Sequence, residues 1–503
     1  MDALTYLLQG FSAAASLNNL FFAFVGCLLG TLVGILPGIG PTAGIALLLP
    51  ITTILPATPA IIMLAAIYYG AMYGGSTTSI LMNIPGEISS VVTCVDGYQM
   101  TKKGKAGAAL AISAISSFMA GTLGLIGLSF LAPVIASMAL SMGPPEILGL
   151  VIFAFTMVVS MSGKSILKGF ASAALGMFVC LIGLDPYVGA SRFTFGTTAL
   201  TGGLDLVAIV MGLFAITEVF KNVATQMEAI SNVRLPPWYK MIKFREIRQC
   251  FWTIIRSSLV GFFVGCIPGV TGGMIGFMSY DIERRVSKNR RNFGKGAIEG
   301  VAAPEGANNA WSCGSLVPLL TLGLPTHTAM AVLLSGLMIY GLQPGPMLFQ
   351  TSPLFVWTVI ASMYLGNVVL LILNLPLVGM WARIAKIPYR FIGPMILLFT
   401  FIGTYSVRNS FFDVGTALGF GILGFIMSKL RIPVIPLVIS IILTDTLERS
   451  LRQTISMGGG SVSFVLHRPI ALAFILAGVV AMSLIIFLRS KAGKGEEYFG
   501  SEQ

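Results

Sequence analysis

Apolar stretches of about 20 residues, the length that crosses a bilayer core as helix, recur from Asn19 to Leu488 with short polar segments between them. They predict an all-α polytopic membrane protein with about 11–12 transmembrane segments. Several stretches carry Gly and Pro in their interiors. Proline removes a backbone donor and clashes with the preceding turn, so these stretches predict broken helices or re-entrant hairpins.

The pattern repeats. Gly30-Thr-Leu-Val-Gly34-Ile-Leu-Pro37-Gly38 matches Gly261-Phe-Phe-Val-Gly265-Cys-Ile-Pro268-Gly269. Gly75-Ser76 followed by Ile84-Pro85 matches Gly314-Ser315 followed by Leu324-Pro325. Gly149 with Phe155-Thr156 matches Gly393 with Phe399-Thr400, and Thr217-Glu218 resembles Thr444-Asp445. The order is kept throughout, as a duplication requires. It predicts a first membrane repeat with its trailing linker over 1–240 and a second over 241–468. Residues 469–503 add one helix and a basic tail.

Charge relates the halves. The loop Arg284–Arg291 is basic, whereas its counterpart, residues 51–59, carries no charge. Lys102-Lys103-Gly-Lys105, the segment Arg383–Arg390 and Lys429-Leu-Arg431 are basic, and their counterparts hold at most one arginine. Basic loops stay in the cytoplasm, so equivalent loops lie on opposite faces. That is an inverted-topology repeat, common in secondary transporters. It places the N-terminus outside. The linker Lys221–Arg256, the hairpin at Lys164 and Lys168, and the C-terminal tail lie in the cytoplasm.

Composition narrows the function. Of 503 residues 55% are hydrophobic and 10% charged, against about a quarter charged in soluble domains. A soluble enzyme is excluded. The net charge of +12 sits in the loops and is explained by topology, so no nucleic-acid partner is expected. The six cysteines are scattered without a CxxC pair, which indicates neither a metal site nor a disulfide frame. Met1-Asp2-Ala3 begins without a basic run and does not resemble a cleaved signal peptide. Ser162-Gly163-Lys164-Ser165 lacks the first glycine of a phosphate loop, Val158 standing in its place, and Gly38–Ala43 lacks the strand and acidic residue of a dinucleotide site. His327 and His467 are far apart in sequence. Neither an enzyme nor a bound cofactor is expected.

The candidate site lies at the paired interruptions. Unpaired backbone persists in a membrane only inside protein or along a wet cavity, and paired breaks in matching halves point to a transporter's binding site. The first pair contains Gly38 and Thr42, with Gly269 and Thr271. The second contains Gly75, Ser76, Thr77, Thr78 and Asn83, with Ser315, Thr321 and Thr326. Helix N-termini and hydroxyls suit a carboxylate, while unwound carbonyls suit a coupling cation. The plainer alternative is helix kinks with hydroxyls bonded to their own backbone. Glu305, Asn308 and Asn309 share one helical face. They are expected to hold a cation or orient substrate, with Glu305 and Thr321 assigned to ion coupling. Glu299 either belongs to this group or balances Lys295. Glu218, Asp281 and Asp445 read as charges at helix ends.

Leu36-Pro-Gly-Ile-Gly-Pro, the segment Tyr69–Leu81, Gly97-Tyr-Gln-Met, the segment Gly296–Glu305, Asn308-Asn309 and Gly341-Leu-Gln-Pro-Gly-Pro346 resemble the large membrane subunit of tripartite tricarboxylate transporters. The likeness covers almost the whole chain, and departs from the family at Val270–Met274 and Thr326-His327. It implies uptake of citrate-like di- or tricarboxylates across the bacterial inner membrane. It also implies a periplasmic substrate-binding protein, a small membrane subunit and a Na⁺ or H⁺ gradient. A stand-alone exchanger or channel remains the alternative, ahead of an intramembrane enzyme.

Overall fold

The computed structural model describes residues 3–36, 40–160, 165–185, 187–222, 235–384 and 389–492. Most of them are helical, because apolar sequence in lipid must satisfy its backbone within each segment. Two compact units form: residues 1–137 with 205–426, and residues 138–204 with 427–503. Each draws on both sequence repeats.

In the larger unit the helices used below are α1 (Ala3–Ala14), α2 (Leu17–Ile35), α3 (Gly40–Thr52), α4 (Ala57–Met82), α5 (Val91–Lys102) and α6 (Ala106–Ala139) from the first half. From the second half come α7 (Phe244–Gly265), α8 (Gly272–Val286), α9 (Glu299–Gly314), α10 (Leu316–Leu322), α11 (Thr328–Ile339) and α12 (Pro353–Asn374). Five helices among the described residues are long and apolar enough to cross a bilayer: α2, α4, α6, α12 and Phe411–Lys429. Helices such as α3 and α11 are apolar but too short to cross alone. Large apolar side chains are exposed on the surface, among them Leu4, Phe130 and Phe263, as lipid-facing positions are.

The glycines common to both halves build the same contact twice. A Cβ on Gly30 would lie 2.4 Å from the Ile67 carbonyl oxygen, and one on Gly34 2.2 Å from that of Ala71. In the second half, Gly261 would meet the Ala307 oxygen at 2.2 Å and Gly265 that of Trp311 at 2.5 Å. Small residues let helix backbones approach. They press α2 against α4, and α7 against α9.

Three sequence expectations shift. The run Tyr73–Ser79 stays helical, and α4 ends only at Asn83, which is left-handed at φ 59°. Helix α9 likewise runs through Pro304, and the matching break comes after α10 at Gly323, φ 67°. Glycine and hydroxyl content suggested earlier breaks, but tertiary packing overrides local propensity. The linker ends sooner than Arg256, which lies within α7 and pairs with Glu283 on α8 at 2.8 Å.

In the smaller unit, Gly176 lies against Leu437 and Gly149 against Ala471. The second contact packs Pro469–Ala492 onto Pro144–Ser160. Gly183–Leu184 and Ser191–Arg192 pair as a short antiparallel ribbon. Arg192 grips Glu448 with two bonds, of 2.7 and 3.0 Å, and also bonds Asp185. Arg452 bridges Asp185 at 2.9 Å and Glu448 at 2.6 Å. Lys168 donates to the Leu430 carbonyl, so the basic hairpin and Lys429-Leu-Arg431 share one end of this unit.

Candidate functional site

Helices α4 and α9 occupy equivalent places in the two halves and run antiparallel. Ser76 on α4 donates to Glu305 Oε2 on α9 at 2.5 Å, while Tyr68, two turns earlier, lies 3.3 Å from Ser315 beyond the end of α9. After each of these helices the chain breaks and then starts a new one. Glu87 stands in extended conformation before the turn Ile88–Ser90 that leads into α5, and His327 in the same conformation before α11. Each lies three residues after the aligned Ile84 or Leu324. Ala71 and Trp311 are likewise matched by their glycine contacts, which aligns Tyr68 with Asn308.

These aligned residues make reciprocal contacts. Asn308 Nδ2 donates to Glu87 Oε1 at 3.1 Å, and the Tyr68 hydroxyl lies 3.1 Å from His327 Nε2. Two niches result. The acidic niche holds Glu87 and Glu305. Ser89 also donates to Glu87 Oε1, Thr93 donates to Glu305 Oε1 at 2.5 Å, and Ser113 and Ser117 lie close to Glu305. Gly75 makes room, since a Cβ there would lie 2.7 Å from Glu87 Cγ. Asn308 Oδ1 is buried with no partner among the described residues.

The second niche is lined by donors and rings. The His327 ring stacks on Trp311 with centroids 4.3 Å apart. Trp311 Nε1 and Thr326 Oγ1 are buried and unpaired among the described residues. The Thr326 carbonyl accepts from the Gly269 amide at 3.2 Å, where Gly269 adopts φ 105°. The niches adjoin at the start of α8, where Gly272 lies against both Ser89 and Trp311. Glu87 also lies within electrostatic reach of Tyr68.

Of the residues expected from sequence, Gly75, Ser76, Glu305 and Asn308 meet in the acidic niche, and Gly269, Ser315 and Thr326 in the second. Thr77 is buried on α4. The others lie elsewhere. Thr42 bonds Thr328 at 2.9 Å where α3 and α11 begin. Thr271 caps α8 through the Met274 amide. Thr78 and Thr321 bond carbonyls of their own helices. Asn309 turns to Ser117 on α6 at 2.8 Å. Asn83 is exposed, and Gly38 lies outside the described residues. Glu299 is held by Gln249 at 2.7 Å and Asn289 at 3.2 Å rather than by Lys295. Asp281 and Asp445 are half exposed and paired with Arg285 and Arg449 one turn on.

Sequence reasoning passed over Glu87, Thr93, Tyr68 and Trp311. One signal was available for Glu87, an acidic residue directly after Pro85-Gly86 in apolar surroundings, where ionisable residues are functional candidates by default. Asp96 was also missed. It is fully buried and accepts from the amides of Gly296 (2.6 Å), Ala297 (2.8 Å) and Gly294 (3.1 Å) and from the Tyr280 hydroxyl. It fastens α5 to the approach to α9. Nearby, Lys103 donates to the Lys295 carbonyl, bringing the basic segments of the two halves together.

A model of the Tripartite tricarboxylate transporter TctA family matches residues 20–439. The chain is 42% identical over 498 residues to an Agrobacterium vitis protein named as the uncharacterized 52.8 kDa protein in the TAR-I ttuC' 3'region. That match covers 98% of this chain and 99% of the relative. It is also 40% identical over 233 residues to an uncharacterized Agrobacterium vitis protein of the TAR-II ttuC' 3'region, covering 46% of this chain and 96% of that one. No solved structure matches.

Proposed function

The chain belongs to the tripartite tricarboxylate transporter TctA family, and from that premise we propose that it carries small organic di- or tricarboxylates, citrate-like in kind, inward across the bacterial cytoplasmic membrane. The family's tripartite organisation supplies the partners: a periplasmic substrate-binding protein that delivers the anion and a small membrane subunit. A Na⁺ or H⁺ gradient drives uptake.

The observation that carries this reading is a pair of buried donors without acceptors among the described residues, Trp311 Nε1 and Thr326 Oγ1. An unmet buried donor costs about 1–3 kcal/mol. A carboxylate oxygen offers the acceptor both lack. The N-terminus of α11 adds amide donors at the same place. One carboxylate group of the substrate docks there, beside His327.

The reciprocal contacts favour an inverted repeat. Equivalent elements that exchange equivalent contacts are related by a two-fold axis. Because α4 and α9 run antiparallel, that axis lies across them. For helices crossing a bilayer it then lies in the membrane plane, and the halves insert in opposite senses. The N-terminus is outside and the C-terminus in the cytoplasm.

The test is reconstitution of the chain with both partners in proteoliposomes, followed by uptake of labelled citrate and related carboxylates under imposed Na⁺ or H⁺ gradients. Gradient-dependent uptake is expected. If no di- or tricarboxylate accumulates while the partners are present and folded, the proposal fails. Uptake at full rate without the binding protein would favour a stand-alone carrier.

A further inference from the structure

The acidic niche differs in chemistry from its partner around His327. Glu87 and Glu305 are both buried, in electrostatic reach of each other, and meet only neutral donors in the contacts described above. Two carboxyl groups enclosed in this way must either be neutralised by protons or meet a compensating cation. A single proton shared between them would bring the carboxyl groups into direct hydrogen bonding. No such bond joins them among the described residues. The donors Ser89 and Asn308 both fall on Glu87 Oε1, and the Ser90 amide also caps the Glu87 side chain. The same amide that reaches Glu87 carries the unpaired Oδ1 of Asn308, which is 2% exposed. Carboxylate, amide-carbonyl and hydroxyl oxygens gathered in one buried niche are the kinds of ligand a hard cation takes.

We infer that Glu87, Glu305 and Asn308 Oδ1 bind a dehydrated sodium ion, with the hydroxyls of Ser76 and Thr93 turning a lone pair to it. A divalent ion fits less well. Magnesium keeps its waters, and calcium wants six to eight oxygens with carboxylates free to bind through both atoms, whereas hydroxyl donors already occupy both oxygens of Glu305. The inference rests on the transport reading and adds to it which ion is coupled and where. The orphan acceptor lies on the sodium side and the orphan donors on the substrate side, and the niches meet at Gly272. Sodium in the first therefore lessens the repulsion on a carboxylate in the second, so each binds better when the other is present.

The test needs no transport. Purified full-length chain in nanodiscs is titrated with NaCl, with choline chloride as the ionic-strength control, and thermal unfolding and ²²Na⁺ binding are followed. Sodium alone should raise the midpoint saturably. Glu87→Gln and Asn308→Ala should each weaken sodium at least tenfold, while Gly419→Ala, in open space, should behave as wild type. Adding citrate should tighten sodium binding. The inference is overturned if both niche variants, confirmed as folded by monodisperse elution, bind sodium like wild type. Equal stabilisation by choline, binding of calcium in preference to sodium, or reproduction of the effect by low pH in sodium-free buffer would also overturn it. Carboxylate uptake without sodium binding would sink this inference alone. Sodium binding without any carboxylate uptake would sink the proposed function instead.

Discussion

At the residue scale, the chemistry rests on side chains whose partners lie more than two hundred positions away. Tyr68 reaches His327, and Glu87 reaches Asn308. Trp311 offers the sharpest single test, because Phe keeps the ring that stacks on His327 and removes only the N–H. Trp311→Phe should leave expression and elution unchanged and raise the KM for carboxylate about tenfold or more, the worth of one bond to a charged group. Unchanged uptake kinetics would move the substrate elsewhere. Polar residues such as Ser76, Thr326 and Asn308 were legible in the sequence because hydroxyls and amides are conspicuous in apolar runs. Trp311 and Tyr68 were not, since an aromatic residue in such a run looks like lipid-facing bulk until its neighbour across the fold is known.

At the element scale, the helices and the breaks between α2 and α3 and between α7 and α8 were legible, but the points where α4 and α10 end were not. Gly74 and Gly75 suggest a broken helix. Instead they let neighbours approach, with Thr31 against the first and Glu87 against the second. The glycines of α2 and α7 do similar work. Gly34→Leu, whose side chain would strike the Ala71 carbonyl, should abolish monodisperse protein on size-exclusion chromatography, and Gly261→Leu should do the same through Ala307. A normal elution profile for both would remove the close-packing argument. The ribbon of the smaller unit makes a separate prediction. Burial acts to raise the Asp185 carboxyl pKa, but the Tyr187 amide and the guanidiniums of Arg192 and Arg452 outweigh it and hold the group well below the usual carboxylate range. A depressed carboxyl stabilises fully above its unfolded pKa of about 4 and loses that contribution as pH falls further. The unfolding midpoint of wild type should therefore drop between about pH 4 and pH 2 more steeply than that of Asp185→Asn. Parallel curves would show that the ribbon contributes nothing to stability.

At the scale of the whole molecule, motif order suggests a duplication but does not foretell the packing. Residues 138–204 and 427–503 leave their own halves to form a separate unit, and nothing in local sequence announces such a regrouping. The contact between Lys103 and the Lys295 carbonyl makes the topology testable. Single cysteines at Lys103 and Arg290 should react with impermeant reagents from the same side of the membrane, the cytoplasmic one. Labelling from opposite sides would refute the inverted arrangement. Because α4 with its following turn and α9 with its following segment each supply one member of both reciprocal pairs, neither niche belongs to one half. Severing the chain between residues 240 and 241 would dismantle both at once. Only fragments that find each other again, as two strangers shaking crossed hands, would bind anything.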